Sequence, residues 1–105
     1  MKYGFDLTAI PAKDFEEMLS EYQLELCARV DGEPFTWKRD GLVVVTGNNP
    51  ITGEYRNSAG RRSEKGYASY IGIEGEAGSV QRVVDFIRAR AEYVKDESPG
   101  ERDFI

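Results

Sequence analysis

The chain has 105 residues, which is enough for one domain with a hydrophobic core and too few for two. A hydrophobic content of 40% and an aromatic content of 11% are typical of a globular protein and argue against disorder, while the net charge of −5 disfavours non-specific adhesion to DNA or anionic lipid. Because Cys27 is the single cysteine, no intrachain disulfide is available. The sequence shows no signal-peptide pattern and no apolar run of about 20 residues, so we expect a cytoplasmic protein without a membrane anchor.

The first elements are a strand followed by a helix. A period-two pattern typical of a strand with one buried face opens the chain. Its apolar positions are Tyr3, Phe5, Leu7 and Ala9. Pro11 suits the first position of a helix, and an apolar stripe at helical spacing follows it through Phe15 and Tyr22. We expect this helix to end near Gln23.

A three-stranded antiparallel meander is predicted next. Residues 24–30 alternate between apolar and polar side chains, and residues 34–39 and 42–46 are rich in β-prone types. The pairs Asp31-Gly32 and Asp40-Gly41 separate these segments, and Asp-Gly is a strong hairpin signal because the turn requires positive φ.

The second half of the chain predicts one more strand and one more helix. The strand covers residues 67–74, and Ser79 is a suitable N-cap for the helix that follows. The apolar face of that helix comprises Val80, Val83, Val84, Ile87, Ala91 and Val94. The element order β-α-β-β-β-β-α predicts an α+β two-layer sandwich, with an antiparallel sheet of about five strands and two helices on one face. We expect a single domain over residues 1–95 and a polar C-terminal tail over residues 96–105.

The composition excludes several kinds of catalytic site. The chain has no histidine, which removes Ser-His-Asp and Cys-His nucleophilic systems and histidine-containing zinc sites. The acidic pairs Asp31/Glu33 and Glu74/Glu76 fall at turns, where solvated carboxylates are common. Glycines 72, 75 and 78 match no phosphate-binding motif. We therefore expect no metal, no cofactor and no enzymatic activity.

The segment from Gly47 to Gly66 is long, whereas the other predicted connections between elements are short. It contains four basic and two acidic residues and so carries +2, which leaves −7 for the rest of the chain. A segment of about 20 residues without regular structure is uncommon in a compact domain, and such segments are usually functional or disordered. Candidate partner-binding residues in it are Tyr55, Arg56, Arg61, Arg62 and Lys65. A solvated loop without a partner is the alternative.

Two further surfaces are candidates. Asp14, Glu17 and Glu21 follow helical spacing and could dock on a basic partner, although a solvated helix face also explains them. Trp37 and Tyr70 lie in predicted strands and could stack nucleic-acid bases, although aromatic residues on a sheet more often belong to the core.

These patterns favour a non-enzymatic binding module that contacts a macromolecular partner, most readily a protein. Small acidic single-domain proteins of this type include regulators and inhibitors from mobile elements, but that comparison is an analogy. The alternatives are RNA or single-stranded DNA binding through the basic loop, and an enzyme whose histidine-free site is not visible in sequence. An exposed sheet edge could also support a homodimer.

Overall fold

The computed structural model describes residues 1–28, 30, 32–52, 67–93 and 101–102. The two helices are α1 (Ala12–Glu21) and α2 (Ala77–Arg90). The strands are β1 (Lys2–Pro11), β2 (Glu25–Leu26), β3 (Phe35–Arg39), β4 (Leu42–Thr46), β5 (Tyr67–Gly75), β6 (Glu92–Tyr93) and β7 (Glu101–Arg102). Within these described residues, neither helix is long and apolar enough to cross a membrane.

The sheet confirms the predicted α+β sandwich. Its first five strands pair antiparallel in the order β2-β3-β4-β5-β1, and the Asp40-Gly41 turn joins β3 to β4 as a two-residue hairpin. Two short strands were not predicted: β6 pairs with Thr8 and Ala9, and β7 pairs with Gly4 and Phe5. Both therefore lie along β1, and part of the predicted polar tail belongs to the sheet.

The core lies between the sheet and the two helices. Phe15 of α1 meets the ring of Trp37 edge-on, with 5.0 Å between the ring centroids. From α2, the buried residues include Val80, Val83 and Ile87, each fully shielded from solvent. Burial of each such side chain contributes about 1.5 to 3 kcal/mol, so these contacts fix both helices against the sheet.

Ile10, near the end of β1, departs from the predicted alternation. Phe5 faces the core, but so does Ile10, which is fully buried although it belongs to the opposite parity. The pairing with β5 shifts register between Phe5 and Ala9, and Tyr70 on β5 has a φ of 54° at this point. A β-bulge of this kind reverses which residues face inward, and period-two reasoning does not anticipate it.

The end of α1 explains why the predicted strand over residues 24–30 is much shorter. Gln23 has a φ of 56°, the N–H of Leu24 donates to the carbonyl of Leu19 at 2.9 Å, and that of Gln23 donates to Ser20 at 3.4 Å. This is a Schellman motif. It places Leu24 in the core, so the regular antiparallel pairing with β3 covers only Glu25 and Leu26. Val30 is already in the following turn, where it accepts from the N–H of Glu33 at 3.1 Å.

The ends of α2 also differ from the prediction. A Cβ on Gly75, whose φ is 152°, would lie 2.1 Å from the carbonyl oxygen of Gly41, so only glycine fits where β5 passes the β3–β4 hairpin. The chain then enters the helix directly through Glu76, and Ser79 lies inside the first turn as a buried residue and not as the cap. The helix stops at Arg90, so Ala91 lies beyond it in extended backbone, and Val94 falls outside the described residues.

Candidate partner-binding end of the sheet

The long loop leaves the sheet from a fixed polar structure. We call Thr46 to Thr52, together with Tyr67 where the chain re-enters β5, the loop base. Thr46 is fully buried at the end of β4, and its hydroxyl accepts the indole N–H of Trp37 at 3.0 Å. The same hydroxyl donates to the backbone carbonyl of Asn48 at 2.6 Å. One threonine therefore connects the core to the first residues of the loop.

Asn48 connects the two ends of the loop. Its side chain is 4% exposed, and its amide donates a short hydrogen bond to the backbone carbonyl of Tyr67. A buried amide requires such partners because an unsatisfied one costs free energy. This hydrogen bond therefore holds the two ends of the loop together, although they lie 19 residues apart in the sequence.

Asn49 shapes the turn that follows. Its side chain is 3% exposed, and its carboxamide oxygen accepts the backbone N–H groups of Ile51 at 3.0 Å and Thr52 at 3.4 Å. This is an Asx-type turn, with Pro50 buried at its centre. Ile51 in this turn has 52% of its surface exposed, so an apolar side chain faces solvent near the end of the described part of the loop.

The loop base lies at one end of the sheet beside two other connections. Phe35 pairs with Thr46, so the turn around Val30 that leads into β3 lies at this end, and Val30 is 55% exposed. Pro11 pairs with Tyr67, which brings the start of α1 to the same end. Exposed apolar side chains and three connections therefore share this rim, the usual arrangement for binding loops on a rigid scaffold.

The residues predicted to contact a partner in the loop lie beyond this base. Tyr55, Arg56, Arg61, Arg62 and Lys65 all fall outside the described residues. The base itself, residues 46–52, contains no charged side chain. The structure thus describes the support of the predicted surface, and the charges of that surface belong to residues 53–66.

Trp37 is not available for base stacking, which corrects the prediction. Its ring is 3% exposed, contacts Phe15 edge-on, and donates its only N–H to Thr46. A base could reach this ring only if the core opened. Tyr70 is partly exposed where the β1–β5 register shifts, and it has a left-handed backbone, which costs about 1 kcal/mol or more in a residue that is not glycine.

The acidic face of α1 is largely used within the chain. Arg90 at the end of α2 lies 3.4 Å from a carboxylate oxygen of Glu17 and 3.9 Å from one of Asp14. Its guanidinium also lies over the ring of Phe86, 3.7 Å from the centroid, and donates to the Phe86 carbonyl. Two of the three predicted docking carboxylates therefore already have a cationic partner, a contact between distant helices that the sequence did not signal.

Glu21 is next to Tyr22, whose ring connects α1 to α2. Burial, followed by the hydrogen bond and negative charge of Glu21, raises the pKa of Tyr22 above its ordinary value, and the charges of Arg90 and Arg82 oppose this increase. The Tyr22 hydroxyl oxygen lies 3.5 Å from the Arg82 carbonyl oxygen, and the Tyr22 ring contacts Phe86 edge-on. This arrangement stabilises the packing of α1 on α2.

The described residues contain no group of three or more side chains that could hold a metal ion. Of the acidic pairs, Glu74 faces Lys2 in an exposed ion pair of 3.6 Å. Cys27 is a partly exposed free thiol whose backbone N–H donates to Thr36 at 2.8 Å.

The chain was compared with known proteins at three levels. No protein-family model, no curated protein and no solved structure matches it. Its function therefore has to be inferred from its own residues.

Proposed function

We propose that this chain is a non-enzymatic binding module that presents its basic loop to a protein partner. The observation that supports the proposal is the loop base. Thr46, Asn48 and Asn49 are buried polar residues that form hydrogen bonds, and together they give the loop a defined origin at one end of the sheet. Positioning of this kind lowers the entropy lost when a loop binds.

The charge distribution suggests the chemistry of the partner. Residues 53–66 contain Arg56, Arg61, Arg62 and Lys65 and carry +2 on a chain of −5. Arginines on a loop suit carboxylates on a partner surface, because the guanidinium can pair with a carboxylate through two hydrogen bonds. The partner is therefore an acidic protein surface, and a regulator or inhibitor that acts by occupying such a surface fits this description.

Nucleic-acid binding is the competing function. It needs the same basic residues for phosphates and exposed aromatic rings for bases. With Trp37 in the core, only Tyr70 among the two predicted stacking residues remains partly exposed. This weakens the alternative, which predicts that binding is lost when nucleic acid is removed.

The test is affinity capture from cells of the native host with a loop replacement designed around the loop base. Residues 53–66 are replaced by a Gly-Ser linker of equal length, and Thr46 to Thr52 are kept so that the fold retains its polar contacts. We expect wild type to retain one or more proteins that the replacement loses. Identical sets of captured proteins would refute the proposal.

A charge-matched pair of variants makes the comparison sharper. Arg61→Gln with Arg62→Gln removes two positive charges from the loop, and Arg82→Gln with Arg88→Gln removes two exposed positive charges from α2. We expect only the first pair to lose the partner. Nuclease treatment before capture distinguishes the alternatives, because loss of binding after that treatment would support nucleic acid as the partner and contradict the proposal.

A further inference from the structure

The sheet face opposite the helices carries an ordered row of charged residues. Register aligns one residue from each of five neighbouring strands in this row. In sheet order these are Glu25, Lys38, Val43, Glu74 and Lys2. The four charged side chains are exposed and Val43 is partly exposed. The signs across the sheet are therefore negative, positive, neutral, negative and positive.

This row is complementary to itself. When it is read from the opposite edge, every charge is replaced by its opposite, and Val43 stays in the middle. A second copy rotated by 180° about an axis along β4 would place Glu25 over Lys2 and Lys38 over Glu74. Two sheets that pack face to face lie about 10 Å apart, a gap that the long side chains of lysine and glutamate can cross from both sides.

The neighbouring row obeys the same symmetry. Thr36, Val45 and Gly72 are aligned across β3, β4 and β5 on the same face. The rotation brings Val45 against its own copy, which adds apolar contact beside Val43.

The charge pattern selects a second copy over other partners. The row has two acidic and two basic residues and is neutral as a whole, whereas the chain carries −5. A partner surface of one sign would meet like charges at half of these positions, and like-charge contacts disfavour association. We infer that this chain forms a two-fold homodimer through the sheet face opposite the helices, with Val43 and Val45 on the axis.

Two charge reversals test the arrangement by sedimentation equilibrium. Lys38→Glu places glutamate over Glu74 twice in a homodimer, and Glu74→Lys places lysine over Lys38 twice. We expect each variant alone to dimerise roughly 10- to 100-fold more weakly than wild type. An equimolar mixture restores every opposite-charge contact across the interface and should form heterodimers with near wild-type affinity. A misfolded variant could not be rescued in this way.

A second measurement does not depend on these substitutions. Val43→Cys in a Cys27→Ser background places the only thiol on the axis, where a short bismaleimide should link two chains. Lys13→Cys in the same background places it on the exposed part of α1 and should give no linked dimer. A wild-type chain that stays monomeric at high micromolar concentration, or a mixture that associates no better than its components, would overturn the inference.

Discussion

Replacement of Thr46 by valine should destabilise the fold although the two side chains have nearly the same shape. The hydroxyl of Thr46 accepts from Trp37 and donates to the carbonyl of Asn48, and it is fully buried. Valine fills the same space and can do neither. The buried indole N–H then loses its acceptor, and the Asn48 carbonyl loses this donor.

The magnitude follows from the two lost hydrogen bonds. A typical bond contributes about 1 kcal/mol net, and a buried donor left without a partner costs about 1 to 3 kcal/mol. The added methyl group of valine offsets part of this loss, so we expect Thr46→Val to lower the free energy of unfolding by about 2 to 3 kcal/mol. For a domain of this size, this corresponds to a decrease in Tm of roughly 10 to 20 °C.

Urea and thermal unfolding followed by circular dichroism measure this change. Thr46→Ser is the matched control, because it keeps the hydroxyl and loses one buried methyl group, at a cost of about 1 kcal/mol. Trp37→Phe completes a double-mutant cycle, which should show a coupling of about 1 kcal/mol between the two residues. A Thr46→Val variant as stable as Thr46→Ser, or a cycle without coupling, would refute this role of Thr46.

Three further predictions concern the helices. Gln23→Gly should raise the free energy of unfolding by about 0.5 to 1 kcal/mol, measured by urea unfolding, because Gln23 is exposed and has a φ of 56°. Arg90→Ala should lower it by about 1 to 2 kcal/mol through lost stacking on Phe86 and lost, partly exposed ion pairs, and Arg90→Lys should rescue only part. The raised pKa of Tyr22 means that the folded state holds this proton more tightly, so stability falls as pH rises above about 10, and Tyr22→Phe should reduce that fall in unfolding measured between pH 9 and 11. The first argument is contradicted if Gln23→Gly destabilises the fold, and the second if Arg90→Ala leaves stability unchanged. The third is contradicted if wild type and Tyr22→Phe lose stability equally as pH rises.

The elements that the sequence predicted well are those with strong local signals. Hydrophobic periodicity predicted both helices and the five main strands, and Asp40-Gly41 predicted the hairpin between β3 and β4. These features depend on residues close in sequence, where period and turn chemistry apply directly. They were sufficient for the fold class.

The errors occurred where contacts between distant segments decide the local structure. Ser79 is a good N-cap by residue type, but the passage of Gly75 against Gly41 starts α2 earlier and places that serine inside the helix. Leu24 to Val30 alternates as a strand would, but the Schellman motif and the turn at Val30 leave two regularly paired residues. Such competition between segments cannot be read from a single local pattern.

In the candidate site, too, some features can be read from the sequence and others depend on contacts between distant segments. The length and charge of the loop are properties of the sequence, and Asn49-Pro50 marks a turn. Burial of Thr46 and Asn48 depends on Trp37 and Tyr67, which lie elsewhere in the chain. The pairing of Asp14 and Glu17 with Arg90 likewise required the packing of α1 against α2.

A photo-crosslinking measurement tests most directly whether the basic loop contacts a partner. A photoreactive phenylalanine analogue replaces Tyr55 in cells of the native host, with the same replacement of Gln81, on the exposed surface of α2, as the control. We predict one dominant covalent adduct with a protein at position 55, absent at position 81 and lost with Arg61→Gln and Arg62→Gln. No adduct at position 55, or one that survives removal of both arginine charges, would contradict the proposal.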